Sequence, residues 1–518
     1  MPAGAEVIVS TLAQAGVEVC FGLPGVHNLA LWEALRTSSI RLVGVRHEQA
    51  AVYAADGYAR ATGRLGVALT TTGPGAANTL GAVGEAFVSR SPVLVIATDI
   101  PSGLRREGVY RGVLHETADQ AAMFAPVTVA QHVCGEVGPT LRAALAETPA
   151  GPVYLGVPTD RLRIEASEPE FGEPTGRAGR SSAPDAAPLL AAARRPLLWV
   201  GRDAEREEVV GVAEALVAPV VETYGGRGVM PLDHPCRVGL PPHLEAVGRL
   251  WDEADLVIAV GDPLDGMNTQ NWAQPQPPQL VTVGTTTPNY RVDVHVASLD
   301  PPPSRGGRDA LATRLARVRA EAVAQLDARA LRFLDAIAFG TPDDAVLVCD
   351  MCIPGYWIAG LHPFAAPRLL QYPVGWGTLG YAFPAALGTA LAGGAGPVVS
   401  ISGDGGFLFA PGELATLAQE RIPLTAVIVD DGGYGMLRYD QDVTGTPRFG
   451  VDLRTPDFAA LAAAFGIRNE TVHDLDESFG EALARHVADP EPSVLVAKAA
   501  PLVPPPTTSP NWYRRRVD

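Results

Sequence analysis

The chain has 518 residues, 47% hydrophobic and 19% charged, with a formal net charge of −17. This balance supports a large buried core and excludes a disordered chain. The excess of acid argues against nucleic acid or an anionic membrane as the main partner.

Length allows about three domains. The opening MPAGAEVIVSTLAQAG has no basic segment before its apolar residues, so no signal peptide is expected. Up to about residue 165, the apolar runs RLVGV (41–45), VALT (67–70) and VLVIAT (93–98) alternate with helical stretches, the pattern of a parallel α/β fold. A Pro/Gly/Ser-rich stretch (165–188) reads as a linker. A second α/β segment, 186–300, contains LLWVG (197–201) and DLVIAVGD (255–262), and PPPSRGGR (301–308) closes it. One helical run over 310–337 is expected to lead into a third segment, 335–518, whose first strand lies near AVLVCD (345–350). Residues 369–403 carry no charge and are long enough to cross a bilayer. Eight glycines and three prolines divide that stretch into a loop, a short buried helix and a strand, so buried core is predicted. Five cysteines, an odd and low count, fit a reducing cytoplasm. AFVSRSPVLVIATD (86–99) and LAQERIPLTAVIVDD (417–431) both read as helix end, proline, buried strand and acid, a hint of two copies of one α/β fold.

The stretch 398–438 is the most informative. VVSIS is predicted as a buried strand, Gly403-Asp404-Gly405-Gly406 as a tight loop, 411–420 as a helix opened by Pro411, LTAVIV (424–429) as the next strand, and Asp430-Asp431-Gly432-Gly433 as the next loop. A βαβ crossover returns parallel, so both acidic loops should lie at the carboxyl ends of neighbouring strands, where ligands bind in open α/β sheets. Glycines let backbone N–H groups approach a phosphate. A carboxylate beside a diphosphate needs a hard cation between them, so Asp404 and Asp431 point to Mg²⁺. A lone GDG would read as an ordinary turn; the second acidic, glycine-rich loop one crossover later favours the cofactor site.

Here the sequence resembles the thiamine diphosphate enzymes of the pyruvate decarboxylase and acetohydroxyacid synthase type. Their signature is GDG, about two dozen residues, then two asparagines; this chain has GDG, 24 residues, then Asp430-Asp431. By resemblance Asp404 and Asp431 supply side-chain metal ligands and Gly433 a carbonyl ligand. Gly405, Gly406, Tyr434 and Gly435 would line the diphosphate. The Asn-to-Asp departure adds negative charge to the loop. The resemblance covers nearly the whole chain: FGLPGVHNL (21–29), GVRHEQAAVYAADGYARATG (44–63), LTTTGPGAANTLGAVGEAF (69–87) and GWGTLGYAFPAALG (375–388). It implies three α/β domains with parallel sheets, the first and third sharing a thiamine diphosphate-binding fold and the middle one Rossmann-like.

The resemblance also assigns roles. Glu48 would act on the pyrimidine ring nitrogen, favouring the imino tautomer whose exocyclic nitrogen takes the thiazolium proton. Taken alone, Glu48 reads as a first-turn helix acid. Leu379 would support the bend between the two rings, with the Gly377 carbonyl holding the exocyclic amine; Pro24, Gly25 and Asn78 match cofactor-lining positions. His115, in a His-Glu-Thr hybrid of two family patterns, is a candidate for binding the substrate carboxylate or moving a proton, beside the alternative of a structural histidine. His27 is a weaker candidate. Cys349 and Cys352 form a lone CxxC, which makes zinc improbable and leaves a redox role open. The segment 261–272 has no arginine, so FAD is not expected in the middle domain. The tail NWYRRRVD (511–518) reads either as a closing segment or as a solvated end.

The expected activity is decarboxylation of a 2-oxo acid with ligation of the carbanion to a second carbonyl, as in acetolactate synthase. Acids used as proton donors in relatives are replaced by Val26 and Leu437, and a donor histidine by Thr71. Asp440 stands where acetohydroxyacid synthases carry tryptophan, so the acceptor need not be theirs. The alternatives are a decarboxylase that releases an aldehyde and a non-catalytic cofactor-binding relative. The family arrangement implies a homodimer or dimer of dimers, with Glu48 and Asp404 of one site on different chains.

Overall fold

The computed structural model describes residues 1–106, 108–168, 186–394 and 396–508. Residues 169–185 of the expected linker and the tail 511–518 lie outside these. Long apolar runs such as VLVIATD and LTAVIVD are buried at every position, as strands covered on both faces by helices must be. They assemble into three parallel sheets, one for each of the three α/β segments.

The first sheet contains β1 (Val19–Gly22), β2 (Arg41–Gly44), β3 (Gly66–Thr70), β4 (Val93–Asp99), β5 (Ala130–Val133) and β6 (Val153–Pro158), in the order β2-β1-β3-β4-β6-β5. The middle sheet contains β7 (Pro196–Val200), β8 (Val220–Glu222), β9 (Leu256–Val260), β10 (Leu280–Val283) and β11 (Val294–Val296), in the order β11-β10-β9-β7-β8. This is a doubly wound arrangement whose winding reverses between β7 and β9. The third sheet contains β12 (Val346–Cys349), β13 (Leu370–Gln371), β14 (Val398–Gly403), β15 (Leu424–Asp430), β16 (Arg468–Val472) and β17 (Ser493–Lys498). Its order, β13-β12-β14-β15-β17-β16, repeats that of the first sheet strand for strand. The hint of duplication read from one stretch thus extends to the whole topology.

The first and third domains meet through one helix each. Glu48–Thr62 packs on Ala382–Ala390 without intervening side chains: a Cβ on Gly57 would overlap the Ala385 carbonyl, and a Cβ on Gly388 the Ala54 carbonyl. The contact is reciprocal, Ala54 and Gly57 facing Gly388 and Ala385, with a three-residue spacing in each helix. Such backbone approach requires glycine.

Three expectations need correction. The run 310–337 is two helices, Arg308–Val323 and Ala328–Gly340, because Asp327 caps the second by accepting from the Ala330 N–H at 2.9 Å. The Gly403–Gly406 loop is shorter than expected: the strand runs through Gly403, and Asp404–Phe407 already forms a helical turn. The segment 411–420 opens with a 3₁₀ turn, Pro411–Glu413, before the α-helix Leu414–Glu420. The uncharged stretch 369–403 contains a loop, a helix and a strand, as expected, preceded by the two-residue strand Leu370–Gln371. Among the described residues no helix is long and apolar enough to cross a membrane.

Candidate functional site

At the carboxyl end of the first sheet, β2 leads into the helix that begins with Glu48. The His47 ring nitrogen accepts from the Gln49 N–H at 3.1 Å and caps this helix. Glu48 is 8% exposed, and its carboxylate accepts from the Asn78 side-chain amide at 3.0 Å. Asn78 therefore orients the glutamate. The β3 strand ends in a Thr70–Gly75 turn that passes close to the same carboxylate: a Cβ on Gly75 would lie 3.3 Å from Glu48 Oε1 and 2.7 Å from Thr71. The loop after β1 closes over this turn, with Gly25 against Thr71 and the Gly25 N–H donating to Asn28 Oδ1 at 2.7 Å. Pro24 stands exposed at its rim. Next to it, the rings of His27 and His115 pack edge to face with centroids 5.1 Å apart.

At the carboxyl end of the third sheet, β14 and β15 are parallel neighbours, with Gly403 in register with Val429. This register brings Asp404 and Asp431 together. Asp404 is almost completely buried; its Oδ1 accepts from the Gly405 N–H at 2.6 Å, while its Oδ2 is buried and has no partner. Burial, and next the Asp431 charge, hold the Asp404 carboxyl well above the usual carboxylate range. Asp431 is pushed up to about 6, mainly by burial, with Arg438 opposing the shift and Asp430 adding to it. Gly433, in extended backbone, is bridged to Asp452, and Tyr434 donates its N–H to the Val451 carbonyl at 2.9 Å. The Tyr434 ring lies over Gly405, where a Cβ would approach it to 2.6 Å, and Gly435 follows beside the Asp431 carboxylate. Leu379 packs beside Gly406, where a Cβ would come within 3.5 Å of its Cδ1. Gly377, with φ +73°, has only the Met351 methyl nearby, so its backbone borders open space.

Four supporting residues escape a reading of the sequence, three of them because their partners are remote along the chain. Asp350 is fully buried; it accepts from the Met351 N–H at 2.8 Å and from the Gly380 N–H at 3.1 Å, and lies 2.8 Å from the place a Gly406 Cβ would take. It joins the Leu379 loop to the Asp404 turn. The CxxC that frames it has buried Cys349 and half-buried Cys352, both free thiols. Glu413 is buried and accepts from the Arg46 and His47 N–H groups at 2.9 and 3.0 Å, tying the Glu48 helix to the third domain. The buried Gln120 accepts from the Gly73 N–H at 2.6 Å and donates to the Thr98 carbonyl and Tyr154 hydroxyl, fixing the turn beside Glu48. Arg438 donates to the carbonyls of Asp431 (2.9 Å) and Gly432 and to the Asp452 carboxylate (2.7 Å), and stands 3.5 Å from Asp431 Oδ1. Its charge offsets the acid that this loop carries in place of asparagine. An arginine one helical turn beyond the second acidic loop was the available signal.

Comparison with known proteins finds three family models along the chain. Residues 2–123 match the thiamine pyrophosphate enzyme N-terminal TPP binding domain, 184–297 the central domain, and 352–497 the C-terminal TPP binding domain. A probable 2-ketoarginine decarboxylase of Pseudomonas aeruginosa is 36% identical, over 91% of this chain and 90% of that protein. A probable acetolactate synthase large subunit of Methanocaldococcus jannaschii is 29% identical over 97% and 93%. An acetolactate synthase of Mycobacterium bovis is 30% identical over 93% and 86%. The chain belongs to the thiamine pyrophosphate enzyme family. It is a thiamine diphosphate-dependent enzyme of the kind that acts on 2-oxo acids.

The residues present fit the cofactor of this family. The buried, unpartnered Asp404 oxygen beside a second carboxylate is a place for a divalent cation, since such a group is costly without a counter-charge. Among the described residues no cluster of three or more His, Cys, Asp or Glu forms a metal site.

Proposed function

We propose that this protein removes CO₂ from a 2-oxo acid with Mg²⁺ and thiamine diphosphate, and releases the corresponding aldehyde. The supporting observation is the division of the site. A glutamate held by Asn78 stands at the end of one sheet, and an unpartnered buried carboxylate beside a second one stands at the equivalent end of its duplicate.

In this reading Asp404 and Asp431 bind Mg²⁺ through their side chains and Gly433 through its carbonyl. Gly405, Gly406, Tyr434 and Gly435 border the diphosphate. Leu379 props the bend and the Gly377 carbonyl accepts from the exocyclic amine, while Pro24 and Gly25 close the ring pocket. Glu48 holds a proton at the pyrimidine ring nitrogen, and burial with a hydrogen bond from Asn78 keeps it aimed there. When bound, the cofactor supplies the carbon nucleophile and the electron sink. His115 gives a proton to the carbon that has lost CO₂. The site is completed by a second copy of the chain. Val26 (72% exposed), Leu29, Phe409 and Leu437 leave apolar surface at both halves, which a homodimer or dimer of dimers would cover.

The 2-oxo acid derived from arginine heads the candidate donors, since the relative at 36% identity is named for it. Asp440 supports a cationic donor. It lies on the helix that leaves the Asp431 loop, and its Oδ1 is buried without a partner.

A second reading, ligation to another carbonyl, is favoured by the absence of an acid at Val26 and Leu437 and of a histidine at Thr71. The test is a panel of 2-oxo acids, with and without aldehyde acceptors, in Mg²⁺ and thiamine diphosphate, products being identified by mass spectrometry. Stoichiometric aldehyde supports the first reading and hydroxyketone the second. Consumption of no 2-oxo acid contradicts both.

A further inference from the structure

Three polar atoms beside Glu48 are buried and lack partners: His27 Nδ1, Thr71 Oγ1 and His115 Nδ1. They surround one turn. A Cβ on Gly25 would lie 2.6 Å from Thr71, one on Gly73 would overlap the His115 carbonyl, and one on Gly75 would lie 3.3 Å from Glu48. Buried polar atoms left open in a native fold call for a functional partner. His115 also has φ +66°, a left-handed backbone conformation that non-glycine residues rarely adopt. The segment that carries it has little regular structure. Inside that segment, Glu116 accepts from the N–H groups of Arg111 (3.0 Å) and Val113 (2.9 Å). From outside it, Gly73 abuts the His115 backbone and the His27 ring packs edge to face on the His115 ring, with an interplanar angle of 86°.

We propose that His27 is a positioning residue for protonation. Its ring holds the His115 imidazole toward the carbon that loses CO₂, and this hold decides whether that carbon is protonated or attacks a second carbonyl. Neither Val26 nor Thr71 can supply the proton, which leaves His115 as the donor whose placement matters. Burial, and next the charge of His115, lower the proton affinity of His27, which suits it to holding its neighbour rather than to carrying the proton. In the step itself the carbon–hydrogen bond forms as the His115 N–H bond breaks, and the electron pair stays on the ring nitrogen. The proton that His115 gives up is replaced from water, so a 2-oxo carboxylate and one proton yield aldehyde and CO₂. An aromatic ring of similar size would do the same holding.

The inference rests on the decarboxylase reading, and the experiment separates the two. Wild type, His27→Ala and His27→Phe are loaded with Mg²⁺ and thiamine diphosphate, and given the best 2-oxo acid of the panel with excess benzaldehyde. The ratio of aldehyde to hydroxyketone should fall about tenfold in His27→Ala and return to within about threefold of wild type in His27→Phe, about 1.4 kcal/mol being a tenfold change. In parallel, the ¹³C-labelled imidazole resonance of His115, identified through His115→Gln, is followed in the protein without substrate. It should broaden or shift in His27→Ala and recover in His27→Phe. An unchanged product ratio or an unchanged His115 resonance in His27→Ala overturns the proposal, as does a His27→Phe protein no better than His27→Ala. Wild type that consumes no 2-oxo acid overturns the decarboxylase reading, and the His115 resonance still decides the pairing.

Discussion

The first and third domains share one strand order and differ at the ends of equivalent strands. After β3 the first domain has an uncharged threonine–glycine turn; after β14 the third has the buried Asp404. β4 ends in the acid Asp99, which is joined to Arg105; β15 ends in Asp430, and the next residue, Asp431, stands near Arg438 and beside Asp404. The difference shows how one fold can divide a cofactor chemically. A turn without charge leaves space for a ring and a single glutamate, whereas paired carboxylates require a cation and so suit a diphosphate.

The largest expected effect comes from breaking the helix pair that joins the two domains. Gly57→Val and Gly388→Val each force a branched side chain into a backbone carbonyl, so each should cost about 3 kcal/mol or more, by thermal or urea unfolding. Because the contact is reciprocal, the two variants should destabilise by similar amounts; a twofold difference would show that the pseudo-symmetry stops short of the contact.

The two arginines sharpen the comparison. Arg438→Met removes hydrogen bonds to the Asp431 and Gly432 carbonyls together with a charge, and should weaken thiamine diphosphate binding at fixed Mg²⁺ by about tenfold in calorimetry. Arg105→Met, beside the acid that ends β4 in the first domain, should leave that affinity unchanged.

The smallest effect concerns a third strand end. Asp262 follows β9 in the middle domain; it accepts from the Leu264 N–H at 2.8 Å and the Thr223 hydroxyl at 2.9 Å. Burial, and next the Asp265 charge, push it up to about 7. A folded-state value above the unfolded value near 3.9 means that the folded protein holds the proton more tightly. Its contribution to stability is full below about pH 4 and is lost as pH rises through about 7. Asp262→Asn should therefore raise the melting temperature by a few degrees at pH 8 and by little at pH 4.5.

Much of this division was legible in the sequence because its signals are local. Gly403-Asp404-Gly405 and Asp430-Asp431-Gly432-Gly433 each combine a strand end, a carboxylate and glycines within four residues, and the crossover between them is short. Glu48 could be named only through its neighbours in the family pattern, since an acid in a first helical turn is otherwise ordinary. The holding groups were not legible. Asp350 reaches Gly380 from 30 positions away, Gln120 reaches Gly73 from 47, and Glu413 reaches His47 from 366, distances that no periodicity encodes. The facing of His27, in the loop after β1, and His115, in the segment after β4, likewise joins parts remote along the chain and follows from no local spacing. The helix break at Asp327 was missed because the apolar repeat continues across it, whereas the aspartate cap that starts the second helix is a single residue.

The central claim is that the first domain acts on the cofactor while the third domain holds it. Its most direct test is thiamine diphosphate binding at fixed Mg²⁺ by Glu48→Gln and Asp404→Ala, measured beside 2-oxo acid turnover. Glu48→Gln should bind within about threefold of wild type and lose about 10²–10⁴-fold in kcat, the usual contribution of one acid–base group. Asp404→Ala should retain no measurable cofactor. A Glu48→Gln protein that binds no cofactor, or an Asp404→Ala protein that binds it as wild type does, would contradict the division.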